Sequence, residues 1–447
     1  MSKVKLAIIF VSVLLFAACE QSTTVVTPSS DPKLASFSLR ANDSIPALST
    51  AVFTIDEPED TGRVYNVDSL PYLTRIDSVS PYFRFNSTPA LARAFMPNGD
   101  SIDLSGSDTL DFSSQPVRLF VVAADLKTTR WYNIFINVHQ INPYLYTWRQ
   151  LSSAIAVRDI EQQKALYFDG SLLWFVKDAL GIDLYSSLDG ATWYQLPVSL
   201  PDDLSVASIT TFGYRLVAAS TDGGLYYSDD ALTWTYDDLS DQGLLCRNIL
   251  FEFVDSLWVI AQDPLDQSLH LATSDYLGVF SVHSDPLPTD FPVEDYACAT
   301  FLSRSFRPRA IVVGGYSAEG KMLNSRWNIE AVEENIRWTN YSHSRPDFPA
   351  IAGTQVVPYN DMLLMLGGLT TNNSLRSTKV YQSIDEGLSW VEADTASNAL
   401  PATFTSRYRH SMFTDYFYNI YVVGGQSLTR TFSDVYTGRL GGIDFLE

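Results

Sequence analysis

Residues 381–390 read YQSIDEGLSW. The phrase returns in altered form as YSSLDGATW at 185–193 and YYSDDALTW at 226–234. Each copy sets a Ser two residues before an Asp, then a short turn, then Ser or Thr and a Trp. The chemistry is that of a β-turn. The carboxylates of Asp189, Asp230 and Asp385 can accept hydrogen bonds from turn N–H groups, and the hydroxyls of Ser187, Ser228 and Ser383 can do likewise. Gly190 and Gly387 can take positive φ. Trp193, Trp234 and Trp390 each supply a large ring to bury between adjacent sheets.

Reading outward, the phrase belongs to a longer unit that starts near residue 143. An apolar strand is followed by a second ending in Gly-Gly or a polar turn, then by the Tyr-x-Ser-x-Asp phrase and a Trp strand. Aromatic anchors fall at Trp148, Trp193, Trp234, Phe280, Trp338, Trp390 and Phe445, at intervals of roughly 41 to 58 residues. Four strands at such a period are the signature of propeller blades. Six first strands are expected, near residues 164, 207, 248, 298, 354 and 409. TWRQL, at 147–151, precedes the first complete unit. It is expected to supply an outer strand to the last blade, closing the ring and removing its edges.

The phrase resembles the Asp-box, S-x-D-x-G-x-[ST]-W, which SIDEGLSW matches in full. SLDGATW and SDDALTW have a turn one residue shorter, and TSDYLGVF at 273–280 is a degraded relative. The C-terminal half also resembles Kelch repeats. Glycine pairs close three second strands, AIVVGGY (Gly314-Gly315), LLMLGGL (Gly367-Gly368) and IYVVGGQ (Gly424-Gly425), and SRYRHSMF at 406–413 carries an Arg-x-x-His-Ser phrase. Both resemblances imply scaffold and no chemistry. The expected fold is all-β: a small β domain over 34–142, then a six-bladed Kelch/Asp-box propeller over 143–447.

In the first domain LASFSLR, AVFTID, RVYNV, VRLFVVAAD and RWYNIFINV have strand patterning, separated by turn residues such as Asn98-Gly99. Tyr132, Ile134, Ile136 and Val138 share one face at period two. Seven or so short strands suit an immunoglobulin-like β-sandwich, one without an inter-sheet disulfide because no Cys falls inside it. The acidic group Asp56, Glu57, Glu59 and Asp60 lacks the spacing of a calcium loop and reads as solvated.

The first residues, MSKVKLAIIFVSVLLFAACE, read as an address. Lys3 and Lys5 precede an apolar run, Leu6–Phe16, too short to span a bilayer comfortably. Phe16-Ala17-Ala18-Cys19 resembles a bacterial lipobox, which implies a signal over 1–18 and lipidation of Cys19. Residues 19–33 then form a polar tether rich in Ser, Thr and Pro, reaching roughly 20 Å as flexible coil. Signal, lipobox, Ig-like domain and propeller together resemble Bacteroidota surface lipoproteins. Export, with the lipid as the sole membrane contact at the outer membrane or cell surface, is the expected location.

Composition narrows the function classes. The chain has 447 residues, 46% of them apolar and 18% charged, so a large core is within reach. The net charge of −21, with no Lys/Arg run, speaks against nucleic acid as a partner. Of the three cysteines, Cys246 and Cys298 are expected as free, small apolar residues, although facing Cβ atoms would let them pair.

No HExxH, P-loop, GxSxG or CxxC motif occurs. Sialidases that carry Asp-boxes also carry an early Arg-Ile-Pro phrase; RPR at 307–309 is not that phrase. Copper radical oxidases with Kelch propellers need paired His and Tyr. Here His139, His270, His283, His343 and His410 are scattered, and His410 reads as a blade brace. Neither metal nor cofactor is expected. Arginines recur around the first strands: Arg158, Arg247, Arg304, Arg345, Arg407 and Arg409. If they ring the channel mouth, they would bind carboxylates, including those of acidic sugars; pairing with local Asp is the competing explanation. The leading expectation is a non-catalytic glycan- or protein-binding module. Its rivals are an enzyme acting on acidic sugars, hydrolase or mutarotase, and a structural envelope component.

Overall fold

Alternation along the strands sets their burial. The structure, a computed structural model, describes residues 27–442 apart from 43–44, 60, 107, 153–159, 277, 333–334, 344–347 and 377. The chain divides into two compact units on either side of Asn142 and Pro143.

In the first unit Leu34–Leu39 pairs antiparallel with Pro81–Phe85. A second sheet runs in the order Phe53–Asp56, Gly62–Asn66, Thr129–Ile134, Val117–Val122, Leu91–Phe95, Ser101–Asp103. Gly62–Asn66 and Thr129–Ile134 run parallel. Three of these strands, at 81, 91 and 101, were not among the clearest in the sequence, because PYFRF and SID bury little of either face. The last strand ends at Ile134 and not at Val138, which keeps a single bridge to Leu70. Val64, Leu119, Tyr132 and Ile134 are wholly buried, as period two requires. The Tyr132 hydroxyl takes a hydrogen bond from the Leu34 amide (2.9 Å) and donates to Glu57 (2.6 Å). Glu57 also meets Arg130 at 2.9 Å, so part of the acidic loop is held rather than free in solvent.

In the second unit six four-stranded antiparallel sheets follow one another among the described residues. Their first strands are Gln162–Phe168, Thr210–Phe212, Leu245–Phe253, Ala297–Leu302, Gln355–Tyr359 and Ser411–Thr414. These strands touch in order, the first pair through the turn Val206–Ser208, and Ser411–Thr414 meets Gln162–Phe168 to close the circle. Apolar clusters fill the gaps between consecutive sheets: Phe175 with Leu216, Leu225 with Val259, Ile260 with Val312, Ile311 with Met365, Leu364 with Val422, and Val423 with Trp174. Closure uses the segment expected for it. Tyr146–Ser152 pairs with Val435–Leu440 as the outer strand of the sixth sheet.

The repeated phrase folds as its chemistry demands. Asp189 accepts the amides of Ala191 (2.9 Å) and Thr192 (2.8 Å), and Asp230 those of Leu232 (2.8 Å) and Thr233 (2.7 Å). Asp385 accepts the Ser389 amide at 2.9 Å and its hydroxyl at 2.6 Å. The Ser187 and Ser383 hydroxyls each receive a Gly amide, of Gly190 and Gly387, at 2.9 Å. Where the second copy lacks Gly, Ala231 takes φ +65. A Cβ on Gly387 would lie 2.0 Å from Ile311 of the fourth sheet, so this position excludes any side chain. Trp193 and Trp234 meet Trp174 and Phe175 edge-on, and Trp390 packs between the fourth and fifth sheets.

Candidate functional site

The arginines do not form one ring. Arg247 and Arg409 lie where their first strands begin, and Arg247 is exposed. Arg304 sits beyond its strand, in the turn between Ala297–Leu302 and Pro308–Val313, at the opposite end of the sheets. Arg407 is fully buried. It grips Asp434 at 2.5 and 3.1 Å, donates to the Gly424 carbonyl (2.8 Å), and stacks between Phe404 and Phe432. It therefore braces the sixth sheet and cannot meet a ligand. Arg409 is clasped by Asp295. Arg158 and Arg345 lie outside the described residues, as do Cys19 and Phe445.

Four titratable side chains lie in the interior of the ring. Burial, reinforced by the Arg407 charge, holds His410 down at about 3, so the ring is neutral. It is buried, and neither ring nitrogen makes a hydrogen bond with a described residue. Cys246 and Cys298 are free thiols, pushed by burial to about 12 and about 11. Desolvation also lowers Lys164, on the first strand of the first sheet.

The cavity that stands out opens at the other end, where first strands turn into second strands. It measures about 310 Å³ and lies among the fourth, fifth and sixth sheets. Phe301, Leu302, Pro358, Met362 and Leu363 form its apolar wall, and Arg304, Asn360, Asp361, Glu386, Thr414 and Tyr418 its polar groups. Asn360 and Asp361 both take positive φ, giving the tight hairpin that opens the space. The Tyr359 hydroxyl receives the Leu440 amide (3.0 Å) and donates to the Tyr418 carbonyl (2.9 Å), fixing the far wall.

The opening phrase builds the near wall. Ser383, Asp385 and Ser389 fix the turn, and the residues between them, Ile384 and Glu386, line the cavity. Glu386 pairs with Arg309 at 2.9 Å. Arg309 also reaches Glu330 at 2.8 Å, which Arg337 and Arg307 flank. Arg304 has no hydrogen bond or ion pair with any described residue. Sequence reading placed Arg304 among the ligand candidates but missed Ile384 and Glu386. Their signal was the extra residue that the copy at 381–390 carries in its turn.

This end also carries exposed aromatic groups. Tyr214, Phe306 and Tyr416 are 98%, 83% and 79% exposed, and Phe417 and Tyr418 are exposed on the same class of turn, between a first and a second strand. The electrostatics favour ionised carboxylates. Backbone amides hold Asp189 and Asp230 below the usual range, beginning with those of Thr192 and Thr233. For Asp385 and Glu330 burial pushes upward, yet the Ser389 and Arg337 donors outweigh it and both are lowered. Among the described residues no group of three His, Cys, Asp or Glu is placed to hold a metal ion, and no helix is long and apolar enough to cross a membrane.

The family described as the DUF6242 beta propeller domain matches residues 142–446, and the DUF6242 N-terminal domain matches residues 22–136. The chain belongs to the DUF6242 family. Solved structures similar to the DUF6242 chain include the following two. One is YjhT, at 14% identity over 72% of this chain and 91% of that one, with a TM-score of 0.33. The other is a luciferin-regenerating enzyme, at 9% identity over 65% and 95%, with a TM-score of 0.40. Likeness at this level carries no function across to the DUF6242 chain. A comparison with curated proteins gives no match.

Proposed function

We propose that the chain is an exported surface lipoprotein of the Bacteroidota type, anchored through Cys19, whose propeller binds a glycan or a protein without turning it over. In this reading residues 19–33 link the anchor to the body, but as a shorter free tether than the sequence suggests, because Ser29, Asp31 and Lys33 are already hydrogen-bonded to Asn86, Ser87 and Asp125 of the first domain; that domain is an Ig-like spacer, and the six Kelch/Asp-box blades carry the binding site. The observation that carries it is the cavity beside Ile384 and Glu386. It joins an apolar wall to a few polar groups, the usual composition of a binding site. The carboxylates with shifted pKa support binding over catalysis. Asp31, Asp189, Glu330 and Glu392 among them are pulled down, whereas a general acid for glycoside cleavage needs the opposite shift.

A glycan array, run beside an assay for released or isomerised sugar, tests the reading. Binding without turnover supports it. Turnover would move the chain to the rival reading, a sialidase-like hydrolase or sialic-acid mutarotase-like enzyme. Fatty-acid labelling of the native chain, lost in Cys19→Ala, tests the anchor.

A further inference from the structure

We infer that the ligand of this cavity is a segment of a partner protein carrying a large apolar side chain flanked by carboxylates. The inference rests on the binding reading above and names the partner class. The wall of Phe301, Met362 and Leu363 offers nothing to a hydroxyl. Polar groups seated against it would be left dry and unpaired, at a cost of about 1–3 kcal/mol each, so the part of the ligand that meets this wall is apolar and only its remainder can pair with Arg304, Asn360, Asp361, Glu386, Thr414 and Tyr418. An aliphatic or aromatic side chain loses nothing there and gains burial. A volume of about 310 Å³ lies at the lower end of the roughly 300–1,000 Å³ of ligand pockets, a fit for an anchor side chain.

The rim agrees. Phe306 shares the turn of Arg304, and Tyr416 and Phe417 share the turn of Tyr418, all of them exposed. Exposed Tyr and Phe around a pocket, with arginine at its edge, are the composition of an interface hot spot.

Charge sets the flanking residues. Asp361 and Glu386 line the cavity, but Glu386 is paired with Arg309, Glu330 alone takes three arginines, Arg307, Arg309 and Arg337, and Arg304 stands unpaired at the rim. Such guanidinium groups fit carboxylates in bidentate geometry.

The test is selection of phage-displayed random peptides on the intact protein. The best peptide is then synthesised and its affinity measured by fluorescence anisotropy. Enriched peptides should carry Leu, Phe or Trp beside Asp or Glu. Binding should weaken at least tenfold in Arg304→Glu and in Ile384→Asp, both at exposed positions, and stay unchanged in Arg409→Ala. No enrichment, enrichment of basic peptides, or affinity indifferent to the first two substitutions would overturn the inference. A saccharide whose binding is lost in Ile384→Asp, with no peptide enriched, would also overturn it while leaving the propeller a binding module. Sugar turnover would instead remove the binding reading itself.

Discussion

Arg409 holds Asp295 from two sheets away, its Nε lying 2.9 Å from both carboxylate oxygens. The two residues stand at the start of the sixth and fourth first strands, and Gly353 of the fifth links them. Gly353 donates to the Asp295 carbonyl and accepts from the Arg409 amide, each at 2.7 Å. The arginine expected to greet a ligand is thus a strut between sheets.

Removing the strut should cost little. The Arg409 side chain is 44% exposed, so solvent screens the pair. Arg409→Ala is expected to lower stability by about 0.5–1 kcal/mol, less at high salt. Urea melts at two ionic strengths check this.

The buried pair behaves differently. Arg407 is inaccessible and Asp434 nearly so, and removing the carboxylate strands a guanidinium in the core. Asp434→Ala is expected to destabilise the propeller by about 3–5 kcal/mol. Denaturant unfolding followed by Trp fluorescence measures the loss.

Two equivalent turns separate stability from binding. Asp189→Ala and Asp385→Ala each remove turn hydrogen bonds and should each cost about 1–2 kcal/mol. Only Asp385→Ala should weaken peptide binding, because only that turn carries Ile384 and Glu386. Calorimetry paired with anisotropy distinguishes the two.

His410 should make the fold acid-sensitive from mildly acidic pH. Its folded pKa, about 3, lies below the unfolded value near 6.5. The unfolded chain therefore binds the proton first. The stability linked to this group is complete above about pH 6.5 and is lost as pH falls toward 3, at up to about 1.4 kcal/mol per pH unit. His410→Asn should flatten the profile between pH 6.5 and 5 in urea melts, even if it lowers stability throughout. The lowered Asp189 and Asp230 act in the same direction but only below about pH 4, whereas His283, also lowered by burial, acts within the window, so His410→Asn should reduce the slope there without abolishing it.

The sheets were legible in the sequence because their markers are local. A Ser hydroxyl and an Asp carboxylate close a turn with amides two to four residues away, so the phrase at 381–390 carries its own fold. The glycine pairs are nearly as local a sign. Gly367 takes φ +69, and a Cβ there would meet the Arg407 carbonyl of the next sheet at 2.4 Å. Arginine direction is not local. Arg407 looks like Arg409 in sequence, but Asp434 captures it from 27 residues away. Arg304 falls past the end of a strand whose length depends on pairing with Pro308–Val313. The cavity needs three turns that meet only once the ring exists.

The pairing of Tyr146–Ser152 with Val435–Leu440 sets an order of events. An early strand must wait for a partner about 290 residues downstream, a contact that closes late because of its large loop entropy. Until that moment the sixth sheet keeps a raw border of open amides and carbonyls, which other chains can pair with. This seam is where a holding chaperone would be needed longest, and a nascent chain stopped short of Val435 would stay adhesive.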